Sequence, residues 1–126
     1  MEKQKYQLEF NMKKTPVSLL WSYISSASGL KEWFADAVEI SGKNYTFYWE
    51  KQPHKATVIS IRNEQSIRWR WDDEHSKAYV EMRIEIDDFN DATMLTLTDF
   101  AETADMDDSK ELWETQIGRL QQMLGC

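Results

Sequence analysis

The stretch Asp105-Met106-Asp107-Asp108-Ser109-Lys110-Glu111-Leu112-Trp113-Glu114-Thr115-Gln116-Ile117-Gly118-Arg119-Leu120-Gln121-Gln122-Met123-Leu124-Gly125 carries the clearest helical period in the sequence. At 100° per residue, Leu112, Trp113, Ile117, Leu120, Met123 and Leu124 fall within one arc of about 140°. Glu111, Glu114, Thr115, Gln121 and Gln122 lie outside it. Asp105 or Asp107 is placed to cap the first turn, and Asp107, Asp108 and Glu111 suit the positive end of the helix dipole. Gly125 stands where a helix stop needs a left-handed residue. A long helix with one apolar face requires an apolar surface to lie on.

Upstream, that surface reads as strands. Tyr45, Phe47 and Trp49 alternate with polar neighbours, as do Ile67, Trp69 and Trp71 with Arg68 and Arg70. Val80, Met82, Ile84 and Ile86 alternate with Glu81, Arg83 and Glu85. Val38 onward, Ala56–Ile61 and Met94–Thr98 complete the run, separated by turns at Ser41–Asn44, Lys51–His54, Arg62–Glu64, Asp72–His75 and Asp87–Asp91. Short links imply antiparallel pairing, because parallel pairs need long crossovers. Ahead of these, Tyr6, Leu8, Phe10 and Met12 form a half-buried strand, and Thr15-Pro16 opens an amphipathic helix with Val17, Leu20, Trp21 and Ile24 on one face. Ser25–Gly29 breaks it, and a second short helix spans Leu30–Phe34. The expectation is one α+β domain over residues 1–126, with about six or seven strands and two short helices after the first.

Composition narrows the function. The 22 acidic and 15 basic residues leave a net charge of -7. Nucleic acid requires clustered Lys and Arg, and an anionic membrane surface repels an acidic chain, so neither is an expected partner. The one cysteine, Cys126, can form no internal disulfide and no thiolate metal site, and is expected exposed on a frayed end. Met1–Lys5 lacks the apolar core of a signal peptide, and no apolar run approaches the roughly 20 residues that span a bilayer. A soluble, cytoplasmic protein is expected.

The order strand, two helices, six strands, long helix resembles the START-like (helix-grip, SRPBCC) superfamily. Ser26-Ala27-Ser28-Gly29-Leu30-Lys31-Glu32-Trp33-Phe34-Ala35 looks like that superfamily's loop and short second helix. Trp69-Arg70-Trp71, Thr93–Thr98 and Leu112-Trp113 through Leu120 look like the branch named after the activator of the heat-shock-protein ATPase. The resemblance covers the whole chain and rests on element order rather than on one motif. It implies a helix-grip fold, a curved antiparallel sheet wrapped around the last helix, often with an apolar cavity between them. Its members include lipid carriers, polyketide cyclases and co-chaperone domains, so fold alone does not fix function.

Catalytic signatures are sparse. His54 and His75 fall in polar turns, poor places for a general base. Asp72-Asp73-Glu74 and Asp105–Asp108 lack the Gly turn of a calcium loop and read as a turn and a helix cap, so no metal is expected. No nucleophile elbow, internal Cys or Gly-rich phosphate loop is present, and no cofactor is expected.

Two residues break the pattern of the last helix. Ser109 and Gln116 project to about 60° and 40° on the wheel, inside the apolar arc. A buried unpaired amide costs about 1–3 kcal/mol, so each needs a partner. That partner is a core hydroxyl, the backbone or an internal water, or else both residues are polar contacts of an apolar ligand cavity. The strand aromatics carry the same ambiguity between packing and pocket. Arg68 and Arg70 face outward as a surface ladder with Glu81, at about 0–1 kcal/mol per pair. The leading reading is non-enzymatic binding of a small apolar or amphipathic molecule. Trp49, Trp69, Trp71 and Met82 form its sheet wall, Ser109, Trp113 and Gln116 its helix wall, and Trp33 with Phe34 its mouth. The alternatives are a protein-interaction, co-chaperone-like module and, last, a cyclase-like enzyme, for which a His or carboxylate inside the cavity is the missing element.

Overall fold

The computed structural model describes residues 2–126. Strand β1 (Gln4–Asn11) precedes helices α1 (Val17–Ser25) and α2 (Ala27–Trp33). Six strands follow: β2 (Ala37–Ser41), β3 (Asn44–Trp49), β4 (Gln52–Arg62), β5 (Ser66–Trp71), β6 (Val80–Ile86) and β7 (Thr93–Ala101). A 3-10 turn at Thr103–Asp105 leads into α3 (Met106–Met123). The seven strands form one curved sheet in the order β1-β7-β6-β5-β4-β3-β2, antiparallel throughout. Consecutive strands β2 to β7 form a meander, and β1 joins it beside β7, far from it in sequence. This is the helix-grip α+β architecture, with α3 against the concave face of the sheet.

Period-two alternation sets that face. Phe47, Ile67, Trp69, Met82, Leu95 and Leu97 are fully or nearly fully buried. From α3 the matching stripe is Trp113, Gln116, Ile117 and Leu120. The stripe is narrower than the apolar arc of the sequence: Leu112 is 60% and Met123 43% exposed, because one helix touches a sheet along only part of its circumference. No helix among the described residues is long and apolar enough to cross a membrane.

Several local expectations are corrected. Thr15 does not cap α1; its hydroxyl donates to Met12 O (2.7 Å), its carbonyl accepts from Thr93 Oγ1 (2.7 Å), and Pro16 takes the N-cap position. Asp105 stands at the N-cap of α3 without a side-chain bond, since the preceding 3-10 turn already holds its backbone in a helical conformation. Helix α2 begins at Ala27 rather than Leu30, because Ser26 ends one helix and caps the next: its Oγ accepts from Gly29 N (3.0 Å). Residues Glu50 and Lys51, with φ of 52° and 68°, make the β3–β4 turn alone, so Gln52, Pro53 and His54 belong to β4. Proline is tolerated there because β5 pairs with β4 only from Ala56 onward, leaving an edge beside Pro53. The link from β5 to β6 spans residues 72–79, longer than a tight hairpin.

The helix stop is the one expected. Gly125 takes φ 75°, its N–H bonds Gln122 O (3.2 Å), and the Cys126 N–H bonds Gln121 O (2.8 Å), the paired bonds of a Schellman cap. That cap folds Cys126 inward. Far from frayed, its thiol is half-buried against Met12 O (3.2 Å) and Thr15 Oγ1 (3.3 Å). On the convex side, the surface ladder is a packed triad: Glu81 is buried and accepts from Arg68 Nε (2.9 Å) and Arg83 (3.1 Å), while Arg68 lies over the Tyr79 ring.

Gly29 shows how tightly α2 docks on α1: an added Cβ would meet Ser22 O at 2.1 Å and Tyr23 Cα at 2.5 Å, both backbone atoms. Gly118, on α3, has nothing within 4 Å of the same position. Urea unfolding should therefore show Gly29→Ala destabilised by about 2–3 kcal/mol or more through overpacking, and Gly118→Ala stabilised by about 1 kcal/mol through helix propensity.

Candidate functional site

Phe34 is the first residue past α2, and its position follows from the end of that helix. Its N–H and that of Ala35 both bond Leu30 O (2.9 and 3.2 Å), but its own carbonyl has no later helical donor. Two side chains take that carbonyl: Trp49 Nε1 from β3 at 2.9 Å and Gln116 Nε2 from α3 at 3.2 Å. The Phe34 ring then lies 5.0–5.8 Å from the rings of Trp33, Phe47, Trp49, Trp69 and Trp113, stacked on Trp113 at an interplanar angle of 12°. Gln116 thus finds a backbone partner, and Ser109 finds a core hydroxyl, bonding Tyr6 OH across from β1.

Between α3 and the sheet runs an open groove of about 470 Å³. Six of the nine residues expected to bind a ligand line it: Phe34, Trp49, Trp71, Ser109, Trp113 and Gln116. The other three sit behind it. Trp33, expected at the mouth, is 2% exposed with its indole N–H on Tyr23 O; Trp69 and Met82 are fully buried. Phe34 lines the groove and packs on the rings of Trp33 and Trp69 behind it, so the sheet-to-helix interior at this level is aromatic packing. The Trp69 indole N–H is without a hydrogen-bond partner among the described residues.

Three lining residues were not anticipated: Asp99, Leu112 and Arg119. Asp99 carries the chemistry. The parity of Leu95 and Leu97 continues to residue 99, so β7, which runs past Thr98 to Ala101, turns a carboxylate toward the core face. That parity was in the sequence; ending the strand at Thr98 hid it. Asp99 Oδ2 accepts from Trp113 Nε1 (2.8 Å) and Oδ1 from Phe100 N (2.7 Å). Among the described residues no Lys, Arg or His nitrogen comes within 4 Å of it. Burial raises its pKa above the ordinary Asp value, and the Trp113 bond, the Phe100 N–H and Lys3 only partly offset this. Tyr6, cross-strand partner of Asp99, is pushed up to about 12, chiefly by burial, so its hydroxyl stays neutral at physiological pH.

The histidines lie elsewhere. His75 is exposed in the 72–79 link. His54, on β4 rather than in a turn, packs edge-on against Trp49 at 5.1 Å and lines a second groove of about 450 Å³ that shares Trp49 and Trp71 with the first. No group of three or more His, Cys, Asp or Glu among the described residues is placed to hold a metal ion.

A curved antiparallel sheet gripping a C-terminal helix, with an aromatic groove between them, defines a helix-grip protein. The family model described as START-like superfamily domain matches residues 1–126, and the chain belongs to that superfamily. A Bacteroides fragilis protein solved by NMR is 36% identical, covering 98% of this chain and 92% of that one, with a TM-score of 0.70. The Aha1 dimer from Colwellia psychrerythraea is 14% identical with a TM-score of 0.81, covering 96% of each chain. CalU16 from Micromonospora echinospora is 15% identical with a TM-score of 0.77, covering 97% of this chain and 76% of that one. The last two likenesses show a shared fold alone. Among curated proteins none matches the chain.

Because the folded-state pKa of Asp99 is raised, the folded protein binds this proton more tightly than the unfolded chain. Its contribution to stability is full below the ordinary Asp pKa and is lost as pH rises through the folded value. Asp99→Asn removes that loss. The stability of the variant relative to the parent, measured by urea unfolding, should be higher at pH 7 than at pH 3. An unchanged difference would show that the buried carboxylate costs nothing to ionise.

Proposed function

We propose that the protein binds a small amphipathic molecule in the groove between its sheet and α3. The observation that carries this reading is the composition of the groove: four aromatic side chains, Phe34, Trp49, Trp71 and Trp113, beside a few polar groups at fixed positions. Its volume of about 470 Å³ falls within the range of roughly 300–1,000 Å³ usual for small-molecule sites. Trp71 and Trp49 are held by the sheet, and Phe34 and Trp113 by their mutual stacking, so the walls are preformed. Affinity comes from apolar burial, about 25 cal/mol per Å². Trp33, Trp69 and Met82 support the floor rather than touch the ligand, while Ser109 and Gln116 keep the helix wall in place through Tyr6 and Phe34.

A second reading, a protein-interaction module, is favoured by Phe89, wholly exposed at the tip of the β6–β7 turn. Such a ring is a ready anchor for a partner, and the Colwellia protein of this fold is a dimer. Asp99 also gives a cyclase-like enzyme one carboxylate in the groove, though no second acid–base group lines it.

A thermal-shift panel on delipidated protein, spanning fatty acids, isoprenoids, sterols, flavonoids, polyketide-like aromatics and aromatic amines, separates these readings. A ligand at 100 times its Kd stabilises by about 2.7 kcal/mol, a shift of roughly 8–15 °C for a domain of this size. The shift should weaken at least tenfold in apparent affinity in Leu112→Asn, which removes an apolar side chain exposed at the groove without adding charge. No shift from any class, in protein shown by mass to be empty, would remove the groove reading and leave the Phe89 surface, tested by Phe89→Ser.

A further inference from the structure

We propose that the groove is specific for an organic amine, an aromatic or apolar body carrying a protonated nitrogen that meets the carboxylate of Asp99. This rests on the groove being the binding site and names the class of ligand it takes.

The argument starts from what Asp99 lacks. Its two oxygens offer about four acceptor positions, and the protein supplies only neutral donors, the Trp113 indole and the Phe100 amide, with a weaker contribution from the Tyr6 hydroxyl. No cation is paired with it among the described residues. A carboxylate partly withdrawn from water without a counter-ion is unfavourable, and an incoming cation relieves both deficits at once. Trp113 also fixes the carboxylate in the groove, because its indole N–H holds Oδ2 while its ring forms part of the wall.

The remaining walls suit the same ligand. The rings of Phe34, Trp49, Trp71 and Trp113 line the groove, and a ring face attracts a cation within about 6 Å of its centroid. The net charge of -7 steers cations toward the protein and anions away. The charged and titratable groups around Asp99 are Lys3 and Tyr6 on the β1 side, Glu102 beyond β7, and Lys110 and Arg119 on α3. Lys3 is already paired with Glu74 at 2.6 Å, and Tyr6 is neutral. Arg119, exposed on the groove wall, and Lys110, over the Tyr6 ring, are the groups that favour an anion instead.

A matched series tests the assignment: 1-naphthylmethylamine, 1-naphthalenemethanol and 1-naphthylacetate, titrated calorimetrically at pH 7. The amine should bind at least tenfold more tightly than the alcohol, and the acetate more weakly than either. Asp99→Asn, which keeps an acceptor for Trp113, should erase the difference between amine and alcohol while leaving alcohol affinity in place. Trp113→Phe, which keeps a ring but removes the donor that orients the carboxylate, should reduce the amine preference. Lowering the pH through the Asp99 titration should weaken the amine alone. Equal affinity for amine and alcohol would overturn the amine assignment while the groove reading stands. Tightest binding by the acetate, lost in Arg119→Gln, would overturn it in favour of an anion site. If none of the three binds, the groove reading falls with it. Circular dichroism and melting curves establish that each variant is folded.

Discussion

The carbonyl of Phe34 has no donor within its own helix, and the architecture is organised around supplying it with two. Trp49 reaches it from β3 and Gln116 from α3, so the end of a short helix is joined to the sheet and to the long helix at one atom. The ring of the same residue packs against five others. Apolar burial alone is non-directional and would tolerate α3 at several rotations and depths. The directed bond from Gln116 to that carbonyl, with those from Ser109 to Tyr6 and from Trp113 to Asp99, removes that freedom, since sliding the helix by one turn would leave Gln116 buried without its partner. The groove exists because this junction holds α3 at a fixed height above the sheet.

A second consequence of the topology is electrostatic. Placing β1 beside β7 sets Tyr6 opposite Asp99, and α3 then brings Ser109 and Trp113 onto the pair. Four polar groups from three elements meet at the edge of an apolar core. The two hydroxyls satisfy one another, and the carboxylate is held by neutral donors without a counter-ion. That arrangement is stable enough to persist but incompletely satisfied, the usual condition of a site rather than of a structural bond. Membership of the START-like superfamily accounts for the scaffold. It does not by itself account for Asp99, since function on a shared fold lies in the particular side chains grafted on it.

Much of this was legible beforehand. Alternation placed Phe47, Trp69, Trp71 and Met82 on one face, and the wheel of α3 isolated Ser109 and Gln116 as polar intruders that needed partners. What alternation could not settle was depth. Trp69 and Trp71 share a face and a strand, yet one is fully buried and the other reaches the groove, because the sheet curves and α3 covers only part of it. Leu112 and Trp113 are neighbours on the helix arc and differ for the same reason. Asp99 was missed because its strand was ended at Thr98, three residues early, where turn chemistry is absent and only pairing with β1 extends the strand.

The sequence by itself determined the elements, their order and the inward face of each strand, because these follow from periodicity, turn chemistry and capping within a few residues of chain. Even there, Ser26 served two helices and Cys126 was folded inward by a cap rather than left free. Tertiary structure alone decided which inward residues fill the core and which line the groove. It also decided that Gln116 would bond a carbonyl 82 residues away and that Asp99 would face the groove without an ion-pair partner. Those outcomes depend on sheet curvature and on where α3 comes to rest, quantities set by the packing of all the elements together and written in no local pattern.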